Sequence, residues 1–178
     1  MCEVGNWLET KNIKTRSWQE LEHLVKNDMM HLVGRDPKIT TEYENHQKWL
    51  ANEWRSINDY VLFKFFELPY HLKDGLKEVI VPETNSSEPE ESHLCYKITE
   101  NEFPYFVDDN IHHYVLWSTR PLSPPEVETC LEKEKSHSFK KFAQVEWIWK
   151  RHGEDYRSVK GVWHVQVFVL QKKHDGRN

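Results

Sequence analysis

The run Val162-Trp163-His164-Val165-Gln166-Val167-Phe168-Val169-Leu170 most constrains the fold. Side chains two apart on a strand share a face. Trp163, Val165, Val167 and Val169 therefore form one continuous apolar face, and His164, Gln166 and Phe168 lie on the other. A β-branched run of this kind demands a partner strand and a layer covering its apolar side.

The rest of the chain supplies both. Ser17-Trp18-Gln19-Glu20 reads as a capping box, and helical spacing predicts a first helix over Trp18 to Leu32, stopped by Gly34-Arg35-Asp36-Pro37. A second helix is expected over Glu42 to Arg55. Ser56-Ile57-Asn58-Asp59 starts a third short segment, which the cap favours as helix. Strands are expected at Glu78 to Val81, Leu94 to Ile98, His113 to Trp117, and where Ala143, Val145, Trp147 and Trp149 alternate. Ser123-Pro124-Pro125-Glu126 opens a helix through Leu131 to about Lys135. The order, helices first and then a mainly antiparallel sheet with one or two crossing helices, is that of an α+β protein. We expect a single domain over 1–178, with a helical part at about 17–66, a sheet part at about 78–171, and a mobile acidic loop at 82–92.

At 178 residues the chain can bury a core without staples, and 38% apolar with 30% charged residues is a globular composition. A net charge of −5 disfavours nucleic acid and anionic membrane as partners. No leader-like or membrane-length apolar run is present, and Cys2, Cys95 and Cys130 form no CxxC pair. These features predict a soluble protein of a reducing, cytoplasmic compartment, with inert thiols. The Asn85-Ser86-Ser87 sequon then has no route to glycosylation.

Chemistry concentrates on His164 and Gln166, whose side chains project at intervals of about 7 Å and can reach one small anion. Ser158 upstream can add a hydroxyl. The bland alternative is a core histidine under a helix. His112 and His113 point to opposite strand faces, so they cannot chelate one metal together. Asn101-Glu102-Phe103-Pro104-Tyr105-Phe106 reads as an aromatic packing turn. The glycines fit no phosphate loop, and no cofactor or metal is implied.

The segments Trp18-Gln19-Glu20-Leu21, Arg35-Asp36-Pro37, Tyr96-Lys97-Ile98, Asn101 to Tyr105, Ile111 to Ser118 and Ser158-Val159 before His164 to Val167 occur in the order and spacing of a known group. From Ser17 to Leu170 the chain resembles a fungal family of unknown function named for the N-acetylglucosamine-induced protein 1. That resemblance implies a fungal cytoplasmic or nuclear protein tied to amino-sugar metabolism or cell-wall response. The C-terminal half also resembles the histidine-triad nucleotide hydrolases and transferases. His113 matches their first strand histidine, Ser158-Val159 their Ser-Val step, and His164 the first of the alternating histidines. Gln166 stands where the triad nucleophile would be, and an amide cannot attack phosphorus. Val159 is also farther from His164 than in that pattern. The resemblances imply a ligand-binding set of His113, Ser158, His164 and Gln166 for a nucleotide or sugar nucleotide. The expected role is a non-catalytic binding or regulatory protein. The alternatives are a phosphoester or nucleotide-sugar hydrolase or transferase using His164, and a protein-interaction module using exposed tryptophans and the acidic loop.

Overall fold

A computed structural model describes residues 14–81, 95–142 and 144–172. The elements are α1 (Trp18–Lys26), α2 (Pro37–Glu53), α3 (Ile57–Phe66), β1 (Tyr70–Lys73), β2 (Leu76–Val79), β3 (Tyr96–Glu100), β4 (Ile111–Ser118), α4 (Pro124–Glu134), β5 (Val145–Lys150) and β6 (Trp163–Gln171). The architecture is α+β, with every pairing between these strands antiparallel and the four-stranded order β3-β4-β6-β5. The stretch 82–92, Leu94 and Ala143 lie outside the described residues.

The alternation in β6 works as its pattern requires, because β6 is a central strand paired on both edges. Its Trp163–Val169 face joins Tyr114 and Leu116 of β4 in a cluster with Val127, Cys130 and Leu131 of α4. The opposite face is covered in two pieces. α1 lays Trp18, Leu21 and Leu24 on Ile111 and Phe168 at one end. Val61 of α3 packs on Val115 and Trp117 at the other. The cleft described below lies toward that second end.

Three local expectations are corrected. The first helix ends at Lys26, followed by a 3₁₀ turn over Met30–Leu32, because Asp28 adopts a left-handed φ of 58°. Asp and Asn tolerate that conformation and end helices with it. α2 starts at Pro37 rather than Glu42, since Asp36 caps it by accepting from the Lys38 N–H at 2.8 Å. Asp36-Pro37 is thus a start signal as well as a stop. Finally, β1 and β2 form a hairpin around Asp74-Gly75, with φ of 54° and 83°. Two positive φ values in succession are what a tight hairpin turn needs, and Asp-Gly supplies them.

Elsewhere the caps hold as read. Ser17 and Glu20 close a reciprocal box at α1. Ser56 accepts from the Asp59 N–H and starts α3. Glu126 accepts from the Ser123 backbone N–H at 2.7 Å at the start of α4.

Candidate functional site

The register of β4 on β6 builds the floor of the site: Trp117 pairs with His164, Val115 with Gln166, and His113 with Phe168. Directly opposed residues share a sheet face, so the two histidines and the glutamine lie in one row.

His113 is 5% exposed, and its ring lies between Phe168 and Tyr105, at centroid distances of 4.5 and 4.8 Å. The backbone N–H of Tyr105 donates to its Nδ1 at 3.0 Å. Burial drives its pKa down to about 3; the Gln166 hydrogen bond opposes this, and the charges of Arg35 and His152 reinforce it. The ring is therefore neutral, and with Nδ1 accepting, its proton sits on Nε2. Nε2–H donates to Gln166 Oε1 at 2.7 Å. This settles the orientation of the Gln166 amide: its oxygen is engaged and its NH2 faces the cleft side.

His164 is equally buried, at 5% exposure, and its ring lies 4.9 Å from Trp117. Its Nδ1–H donates to the carbonyl of Val162 at 2.9 Å. Burial is the main cause that lowers its pKa; Val162 opposes it, and the Arg157 and Arg151 guanidinium groups reinforce it. The neutral ring leaves Nε2 as an acceptor with no partner among the described residues.

These side chains open into a cleft between α2, α3 and the sheet. His164, Gln166 and the exposed Ser158 line it, with Tyr43, His46 and Gln47 from α2, Tyr60 from α3, and Asn101 to Phe103 from the turn after β3. His113 stands behind Gln166 and acts on the cleft through it. Ser158 is held near by its loop, where the Gly161 N–H donates to Asn58 Oδ1 of α3 at 2.8 Å. The cavity is about 110 Å³. Sites for whole drug-sized ligands run from about 300 Å³. The cleft is thus smaller than such a site, and a larger ligand would extend toward solvent.

Much of the lining is apolar, with Leu50, Val61, Phe65, Val115 and Trp117, and a few amide donors are set into it. Asn101 Oδ1 accepts from the Phe103 N–H at 3.0 Å, which turns its NH2 away from that bond. Its nitrogen lies 3.4 Å from His113 Nε2, a second donor and so no partner. Gln47 Nε2 is buried without a hydrogen-bond partner. Arg35 also lines the cleft. Two carboxylates also line the cleft, Glu102 paired to Lys64 and Glu100 paired to Lys141.

Of the four residues expected from the sequence, Ser158, His164 and Gln166 line the cleft and His113 does not; Arg35, His46, Gln47 and Asn101 line it without having been expected there. Arg35 was legible only as a turn residue. One signal was available: a cation immediately before the N-cap of α2 faces the positive end of the helix, an unfavourable place without another purpose. His112 lies away from the cleft, with its ring 4.4 Å from Phe142. Among the described residues, no three His, Cys, Asp or Glu side chains gather as metal ligands. Nor is any helix there long and apolar enough to cross a membrane.

Residues 17–170 match the family described as Protein of unknown function (DUF3605), and the chain belongs to that family. Within reach of it lies the N-acetylglucosamine-induced protein 1 of Candida albicans, 21% identical over 89% of this chain and 70% of the relative. The Uncharacterized protein YPL067C of Saccharomyces cerevisiae is 22% identical over 86% of this chain and 78% of its own length. Among solved structures, the crystal structure of HTC1 aligns with a TM-score of 0.53 at 20% identity, covering 86% of this chain and 84% of that one. At this identity the likeness establishes the fold.

Proposed function

We propose that this chain is a non-catalytic binding or regulatory protein of the cytoplasm and nucleus. Its cleft takes the phosphate group of a nucleotide or sugar nucleotide. The observation that carries the reading is the fixed Gln166 amide. His113 holds its oxygen at 2.7 Å, so two N–H donors face the cleft side beside His164 and Ser158. On the resemblance to histidine-triad enzymes, Gln166 stands where their nucleophile would be. Here the amide can bind a phosphate oxygen but cannot form a phosphoenzyme. The enclosed volume of about 110 Å³ suits a phosphate group with the rest of the ligand outside.

The test is a thermal-shift and calorimetric screen of nucleotides, sugar phosphates and sugar nucleotides against the parent, His164→Ala and Gln166→Leu. At a hundred times the dissociation constant a ligand should stabilise the parent by about 2.7 kcal/mol. Loss of a charge-assisted hydrogen bond should weaken binding about tenfold or more in each variant. Equal binding in all three proteins would refute the site. One observation favours a hydrolase as a second reading: His164 Nε2 is an unengaged base beside the exposed Ser158. Turnover of a bound nucleotide sugar by the parent, lost in His164→Ala, would select it over the binding role.

A further inference from the structure

Arg35 is held in an unusual way. Its Cζ lies 4.2 Å from the Tyr43 ring centroid and 5.2 Å from that of Tyr105. Its Nε donates to the Phe103 carbonyl at 2.9 Å. Two rings and one carbonyl thus fix the guanidinium plane and leave the two terminal NH2 groups uncommitted. No carboxylate lies within ion-pairing distance among the described residues. Arg35 is the one Lys or Arg on the cleft lining among the described residues, and the two carboxylates there are already paired, Glu102 to Lys64 and Glu100 to Lys141. A guanidinium held in place with no carboxylate on it can take an anion without losing a protein partner, and its planar fork matches two oxygens of one phosphate.

We propose that Arg35 is the principal anion-binding residue of this cleft and that it selects a terminal phosphate monoester. The proposal rests on the phosphate-binding reading above and specifies its ligand. Arg35 takes two phosphate oxygens through its NH2 groups. The amide donors of Gln47, Asn101 and Gln166 take the remaining lone pairs. The floor is the β4–β6 sheet face, which admits the end of a ligand and closes off a through passage. A diester has substituents on both sides of phosphorus and one charge fewer, so it fits neither the floor nor the donor count. His164 Nε2 accepts from a hydroxyl on the phosphate or on the atom next to it. Arg35 also borders a second hollow on its far side, lined by His31, His152 and Tyr156, which leaves the guanidinium open to small reagents.

The experiment uses ethyl phosphate and diethyl phosphate as calorimetric probes of the full chain, with Arg35→Met and Arg35→Lys. The parent should bind the monoester and ignore the diester. Arg35→Met should bind about ten- to a hundredfold more weakly. Arg35→Lys, which keeps charge without the fork, should fall between. A second measurement needs no variant: inorganic phosphate should slow modification of Arg35 by phenylglyoxal in the parent, read by peptide mass spectrometry. Monoester binding unchanged in Arg35→Met but lost in His164→Ala would overturn the role of Arg35 and leave the cleft intact. A modification rate indifferent to phosphate, or equal binding of the diester, would overturn it as well. A parent that binds no phosphate compound removes both this proposal and the reading beneath it.

Discussion

Replacing His113 with leucine should change how stability depends on pH, in a direction the structure fixes. In the unfolded chain an imidazole takes its proton near pH 6.5. In the fold His113 resists protonation down to about pH 3, chiefly through burial. Between those values the unfolded chain binds the extra proton, so stability is fully present above about pH 6.5 and falls as the solution is acidified. From pH 7 to pH 5 the native ring stays neutral, and one such group removes about 2 kcal/mol. At pH 7, His113→Leu strands the Tyr105 N–H and the Gln166 Oε1, which the histidine satisfies at 3.0 and 2.7 Å. Two unsatisfied buried groups cost about 2–4 kcal/mol. The variant is therefore the weaker protein at neutral pH, and the gap should shrink by about 2 kcal/mol at pH 5. Urea unfolding of both proteins at the two pH values, followed by the fluorescence of the eight tryptophans, measures it. Other histidines titrate in both chains and cancel in the double difference. A gap that stays constant with pH would show that His113 is not the buried neutral ring described.

Two further perturbations test the frame around the site. Glu67 ends α3 with a left-handed φ of 56°, so Glu67→Gly should raise stability by about 0.5–1 kcal/mol in the same assay, and a loss would contradict the strain. A Cβ at Gly161 would lie 2.7 Å from the Asn58 amide nitrogen. Gly161→Ala should cost about 1–2 kcal/mol, and most of that penalty should vanish in an Asn58→Ala background, as a double-mutant cycle would reveal.

What the sequence disclosed follows from where its signals are local. Trp163 to Leu170 announces a strand with one apolar core face, because period-two alternation survives any tertiary setting, whereas the burial of its other face depends on where α1 and α3 dock. Ser17, Ser56 and Ser123 mark helix starts through bonds within four residues. The Asp74-Gly75 hairpin was equally local, and reading it needed only the turn chemistry of two positive φ values. The site is different in kind. Gln166 and His164 share a strand, and spacing found them. The role of His113 depends on a bond spanning 53 residues. Arg35 meets the Phe103 carbonyl across 68 residues, and no periodicity in a single chain encodes such a meeting.

The central pairing of β4 with β6 also sets a schedule for synthesis. Seven of the eight β4 residues, Ile111 to Trp117, pair with residues from His164 to Leu170, and Ser118 pairs with Trp163. On the ribosome, β4 can meet β3 early, yet its other edge stays bare while α4, β5 and the following loop are made. An unpaired apolar edge is a template for pairing with other chains. Until β6 emerges, the nascent protein exposes Val115 and Trp117 on one side and Tyr114 and Leu116 on the other. The cleft floor comes into being at the moment that exposure ends.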